Sequence, residues 1–180
     1  MKRLVPPIIG ERVRLRLLRE EDLPLTLAWR NADCNRRWFI SSAPIAWEQH
    51  LAWFSRYLER DDDFVWVIEP IEQARPIGQV SIYDIDWTGS QAECGRLLVG
   101  DPAARGKGFA KDAIRACTAH AAAAWGIRLI YCAILRENSA SRASFTAAGY
   151  TLEADDGRFV RMTFAPPRTY PDPARRRPDA

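Results

Sequence analysis

The residues of this 180-residue chain with the clearest chemical use run from Asp101 to Asp112, as Asp-Pro-Ala-Ala-Arg-Gly-Lys-Gly-Phe-Ala-Lys-Asp. Gly106, Gly108 and Ala110 give a turn with almost no side-chain bulk, so successive backbone N–H groups can converge on one small anion. The apolar run Leu97-Leu98-Val99 precedes the turn and an alanine-rich helical pattern follows it. The turn therefore opens onto a helix N-terminus, which carries roughly half a positive charge and unpaired donors and favours phosphate or pyrophosphate. Spacing excludes two common phosphate loops. A P-loop requires Gly at position 101 and Ser or Thr at 108, where Asp101 and Gly108 stand. A dinucleotide fingerprint requires Gly or Ala where Lys111 stands. A glycine-rich strand-to-helix turn with no ligand is the alternative.

A second group of residues can move protons. Glu93 lies in Ala92-Glu93-Cys94-Gly95, a strand pattern otherwise poor in charge. Burial there raises a carboxylate pKa towards the range useful to a general base. An edge-exposed glutamate, or one paired with Arg96, is the competing reading. Asp84 and Asp86, at the end of the preceding apolar run and next to Tyr83, compete for the base role or for binding a substrate ammonium or hydroxyl. Asn138 and Ser141 open another helical pattern, where Asn138 or Ser139 suits an N-cap.

The elements that position these groups follow from periodicity. Val13–Leu18 alternates as a half-buried strand, and Asp22 and Pro24 suit the first turn of a helix ending near Arg30 and Asn31. Trp47, Leu51, Phe54 and Leu58 recur at helical spacing over residues 46–59. Residues 64–68, 77–85 and 91–99 read as strands, the last two joined at Thr88-Gly89-Ser90. A helix over 108–125, a strand over 129–135, a helix over 139–148 and two closing strands near 151–154 and 158–165 complete a β-α-α-β-β-β-α-β-α-β-β order.

Composition narrows the function. A 47% hydrophobic content with mixed charge predicts a folded chain, read as one domain over 1–165 followed by a Pro/Arg-rich tail over 166–180. No apolar run is long enough to cross a bilayer and no signal-peptide core is present, which predicts a cytoplasmic protein without a membrane partner. Cys34, Cys94, Cys117 and Cys132 form no C-x-x-C pair, and with only His50 and His120 no metal site is expected. Arg175, Arg176 and Arg177 could touch nucleic acid, but a solvated tail explains them and no nucleic-acid partner is expected.

The R-x-x-G-x-A run from Arg105 to Ala110, after Ala92-Glu93-Cys94-Gly95 and before Asn138-Ser-Ala-Ser141 and Ala148-Gly149-Tyr150, resembles the GNAT superfamily of N-acetyltransferases over about residues 76–155. The resemblance implies an α/β (α+β) fold with a mixed sheet of about seven strands and helices on both faces. It implies acetyl-CoA as co-substrate, bound by Arg105, Gly106, Lys107, Gly108, Phe109 and Ala110 at the pyrophosphate. Asn138 and Ser141 would lie along the pantetheine arm, with the backbone of Leu98 and Val99 at the acetyl group. Glu93 becomes the base and Ser141 a proton relay. Many members carry a tyrosine four residues before the "G-F"; here that position is Phe145, so Ser141, Tyr83, Tyr150 or water must protonate the leaving sulfur, or no acid is used.

The acceptor is read from the first part of the chain. Trp29-Arg30-Asn31, Arg36-Arg37-Trp38-Phe39 and Ile45-x-x-Glu48-x-His50-Leu51-x-Trp53-Phe54 resemble the pseudaminic-acid amino-sugar N-acetyltransferases, as does Ile77-Gly78-x-Val80-Ser81-Ile82-x-Asp84-Ile85. That implies a nucleotide-linked amino sugar, with Arg30, His50, Tyr83 and Asp84 as substrate contacts. The same strand and Asn138…Ser141 also resemble ribosomal-protein N-terminal acetyltransferases, the alternative. A non-catalytic acyl-CoA sensor, motivated by Phe145, is a third reading. The chemistry favours a weakly basic amine, because deprotonating a lysine at pH 7 costs roughly 4–5 kcal/mol. A monomer or homodimer acting on a small-molecule amine is expected.

Overall fold

A computed structural model describes residues 2–166. One sheet holds β1 (Ile8–Ile9), β2 (Val13–Leu17), β3 (Asp63–Pro70), β4 (Gly78–Asp86), β5 (Gln91–Val99), β6 (Leu129–Leu135), β7 (Thr151–Asp155) and β8 (Phe159–Phe164). The α-helices among the described residues are α1 (Leu23–Asn31), α2 (Asp33–Arg36), α3 (Trp47–Glu59), α4 (Phe109–Trp125) and α5 (Ser139–Ala147). The strands lie in the order β1-β2-β3-β4-β5-β6-β8-β7. Every neighbouring pair is antiparallel except β5 and β6, which run parallel. The mixed α/β sheet expected from the sequence is present, with eight strands where about seven were predicted. The difference is the two-residue β1, too short to carry a period. All but Pro166 of the tail read over 166–180 lies outside the described residues.

β3 shows how the sheet divides its two faces. Val65 and Val67 join Leu23 of α1 with Phe54 and Tyr57 of α3 in one apolar cluster. Phe64, Trp66 and Ile68, on the opposite face, pack with Ala113, Ile114 and Cys117 of α4 and Phe145 of α5. Period-2 alternation makes β3 the partition between these two cores, and the strand is buried along its whole length. Cys94, Cys117 and Cys132 are buried free thiols, as the sequence predicts for apolar segments.

Two polar anchors fix helices to this sheet. Asp22 was expected to cap α1, but its side chain makes no cap hydrogen bond there. It accepts two bonds from the Arg16 guanidinium (2.7 and 2.8 Å) and one from the Arg19 amide (2.9 Å), while Arg16 Nε donates to Glu69 at 2.7 Å. A guanidinium fork satisfied by two carboxylates outcompetes a single cap bond. At the first turn of α4, buried Asp112 accepts from the backbone amides of Glu11, Arg12 and Val13 at 3.1, 2.8 and 3.0 Å. This carboxylate ties the phosphate-turn helix to the start of β2.

Candidate active site

β5 and β6 pair only over Gln91–Glu93 against Leu129–Tyr131. Beyond Glu93 they separate, and the edge of β5 facing β6 has no strand beside it. The wedge between them is a cavity of about 450 Å³, lined by the backbone and side chains of residues 93–99 and 132–135, with α5 and the segment after α2 completing its walls.

A bulge in β5 shapes the wedge. Register across β4 and β5 passes from Gln79↔Leu98 to Ser81↔Gly95, so β5 carries one extra residue there. Arg96 absorbs it at φ 47°, a left-handed conformation unusual for a residue with a side chain. A second shift places an extra residue on β4, where Asp84 sits at φ 50°. Between these two irregularities Tyr83 and Glu93 stand directly opposite one another.

At one end of the wedge, Asp101 caps a short 3-10 turn by accepting from the Ala103 amide at 2.9 Å. The chain then turns at Gly106 and Gly108, with φ of 73° and 81°, and Gly108 is the N-cap of α4. These angles require glycine, and the first amides of α4 have no intrahelical acceptor. Arg12 holds the turn from outside by donating to the Lys107 carbonyl at 2.5 Å. Arg105 folds back, donating to Val99 O (3.2 Å) and Asn35 Oδ1 (3.2 Å), with Cys34 Sγ 3.4 Å away. A backbone cradle at a helix N-terminus, leading into an apolar slot between splayed strands, fits a pyrophosphate followed by a slender thiol-bearing arm.

On the opposite wall Asn138 caps α5, its Oδ1 accepting from the Ser141 amide at 3.1 Å. Both side chains border the cavity. Phe145 borders it too, packed edge-on against Tyr150 with ring centres 5.0 Å apart. Tyr150, one of the acids considered for the missing phenol, points elsewhere: its hydroxyl bonds Thr118 Oγ1 at 2.9 Å in the core.

Glu93 is half-buried on the cavity wall, and the Tyr83 hydroxyl donates to its Oε1 at 2.6 Å. Burial is the largest influence on this carboxyl and lifts its pKa above the ordinary glutamate range. The Tyr83 bond, Arg96 and the Ala133 amide oppose that rise, and Asp84 adds to it. Burial and the neighbouring carboxylate push the Tyr83 phenol up as well. Glu93 is neither at an exposed edge nor paired with Arg96, whose guanidinium instead meets both oxygens of Asp63 (2.8 and 2.9 Å).

Of the residues singled out from the sequence, the structure brings Tyr83, Glu93, Leu98, Val99, Arg105, Gly106, Ala110, Asn138 and Ser141 to one cavity. Lys107, Gly108 and Phe109 continue the turn beyond its wall. Arg30, His50 and Asp84 do not line it. Arg30 stacks 3.8 Å over Phe39 and donates to the Ser41 carbonyl at 2.7 Å. His50 is buried, with Nε2 3.3 Å from Thr26 Oγ1 and its ring stacked on Trp53. Asp84 is paired with Arg60 at 3.1 Å, and Asp86 accepts from the Thr88 and Gly89 amides. The sequence reading passed over Asn35, which receives Arg105, and Asp63, which receives Arg96. Their partners are remote in the chain, so no local spacing could reveal them.

The sequence of residues 12–151 matches the family model described as an acetyltransferase (GNAT) domain. No curated protein matches the chain. Similar solved structures include spermidine N-acetyltransferase from Vibrio cholerae in complex with CoA and spermine, 19% identical, covering 87% of this chain and 96% of that one at a TM-score of 0.76. FdhC, a nucleotide-linked sugar GNAT, is 17% identical and covers 90% of this chain and 91% of its own at a TM-score of 0.77. A domain from Methanocaldococcus jannaschii is 22% identical, with 86% and 98% covered and a TM-score of 0.74. The family match spans most of the chain, and this chain belongs to the GNAT acetyltransferases, enzymes that use acetyl-CoA to acetylate amines.

Proposed function

We propose that this acetyltransferase acts on a weakly basic amine carried by an anionic small molecule, with a nucleotide-linked amino sugar as the acceptor class. The observation that carries this reading is the charge of the cavity wall. Arg37, Arg96 and Arg105 border it, against Glu93 as its one carboxylate among the described residues. Arg96 and Arg105 are already engaged by Asp63 and Asn35, which leaves exposed Arg37, lying 4.7 Å over the Trp38 ring, as the wall guanidinium without a hydrogen-bond partner among the described residues and available to a diphosphate. A polyamine, by contrast, needs several carboxylates to replace its hydration. Trp38 and Phe39, on the same segment, also border the cavity, each with one ring face covered by an arginine, Arg37 at 4.7 Å and Arg30 at 3.8 Å, so a base or sugar would meet the other face.

In this reading Glu93 takes the proton of the amine, directly or through one water, and the amine nitrogen forms the new bond to the acetyl carbonyl carbon. The unpartnered backbone edge of β5 near Leu98 and Val99 faces the developing negative charge on oxygen. The carbon–sulfur bond breaks, and Ser141 or Tyr83 lies within the same cavity to return a proton to sulfur. A thiol of pKa about 8.5 also leaves tolerably without an acid. The test is thiol release with nucleotide-linked amino sugars, spermidine and N-terminal peptides, followed by Arg37→Ala. Loss of amino-sugar turnover through KM supports the assignment; an amino-sugar KM unmoved by Arg37→Ala, or spermidine as the preferred acceptor, contradicts it.

A further inference from the structure

Asp63 sits at the start of β3 on the sheet's inner strands and is 1% exposed, yet the acetyl-transfer chemistry gives it no task. Its carboxylate receives Arg96 Nη1 on both oxygens. The Arg96 guanidinium lies 4.0 Å over the Tyr83 ring, and the Tyr83 hydroxyl is bonded to Glu93 at 2.6 Å. Arg96 is also the residue held at a left-handed φ inside the β5 bulge. Such a conformation is strained for a residue with a Cβ and persists only where surrounding contacts enforce it. Space is reserved for the arrangement: a Cβ on Gly95 would lie 2.8 Å from the Tyr83 hydroxyl oxygen.

We propose that Asp63 and Arg96 are positioning residues for the transfer reaction. Asp63 clamps the Arg96 side chain flat on Tyr83, which aims the phenol at Glu93, anchors the bulge that opens the acyl cleft, and keeps the arginine charge neutralised beside the base. The inference rests on Glu93 as the proton acceptor of the preceding section.

The charged and titratable groups facing Glu93 come from every neighbouring strand. Tyr83 and Asp84 lie on β4, Arg96 on β5, and Tyr131, with Arg161 of β8 stacked 3.8 Å over it, on the far side. Among these, Arg96 is the cation whose effect depends on a buried partner. Removing the Asp63 charge strengthens the field of Arg96 at Glu93 and stabilises the carboxylate. Removing Arg96 does the reverse.

The test uses Asp63→Asn, Arg96→Gln and Arg96→Lys in the full chain, with two readouts. One is the Glu93 carboxyl titration by ¹³C NMR, assigned through its absence in Glu93→Gln. The other is the acidic limb of the kcat/KM profile. Asp63→Asn is expected to move the Glu93 titration down and Arg96→Gln up, each by about one pH unit, with Arg96→Lys close to wild type. A carboxyl titration unmoved by Arg96→Gln, or moved the same way in Arg96→Lys, overturns the proposal even if Asp63→Asn does not fold. If the titrations shift as expected while the rate limb stays fixed, Asp63 and Arg96 orient the Tyr83–Glu93 pair, but Glu93 is not the base and their role in the transfer reaction is overturned with it.

Discussion

At the scale of single residues, proton removal falls to one half-buried carboxylate, Glu93, in the proposed reaction. Burial lifts the Glu93 pKa above its ordinary value, so a Glu93-dependent rate is present above that pKa and lost as pH falls through it. Glu93→Gln should lower kcat by about 10²–10⁴, measured at saturating acetyl-CoA. The same shift has a stability sign. A carboxyl with a raised folded pKa destabilises the fold wherever it is ionised, so Glu93→Gln should melt higher than wild type at pH 7. The two curves should converge once pH falls below the unfolded-state value, and a lower Tm at pH 7 would contradict the burial argument. Glu93 was legible in the sequence because a charged residue interrupted an apolar strand. Tyr83 as its partner was legible only as a neighbour, since cross-strand opposition depends on a bulge that has no local signature. Arg30 and His50 lie off the cavity wall and are held by other parts of the protein, although Arg30 Nη1 has no partner among the described residues. Their residue types suit ligand binding, and in the protein they contact Phe39 and Ser41, and Thr26 and Trp53, respectively. Residue type tells what a side chain can bind, and packing decides whether it is free to do so.

At the scale of elements, the phosphate turn works only if α4 is held in place. Asp112→Ala strands three backbone amides and should cost about 3 kcal/mol or more in urea unfolding, with a raised KM for acetyl-CoA. Unchanged stability would show that the β2 start and α4 are fixed by apolar packing alone. Tyr150→Phe is expected to lose about 1 kcal/mol with its Thr118 bond, while kcat stays within about twofold. A large fall in kcat would return Tyr150 to the list of acids. Long periodic segments such as α3, α4 and β6 emerged from the sequence within a residue or so of their ends. α2 and β1 did not, because four and two residues are too few for a period to register.

At the scale of the whole molecule, one wedge brings a backbone anion cradle together with a wall richer in guanidinium than carboxylate. Arg37→Ala should raise the acceptor KM about tenfold, the scale of one lost charge-assisted contact worth roughly 1.5 kcal/mol. The acceptor KM should also climb with added salt, because an exposed pair is screened within about 10 Å at 0.1 M. Acceptor choice is decided by thiol release from acetyl-CoA across a panel of nucleotide-linked amino sugars, spermidine, spermine and N-terminal peptides. A nucleotide-linked amino sugar should turn over with kcat/KM well above that of either polyamine. Preferential acetylation of spermidine, or of a peptide N-terminus, would contradict it.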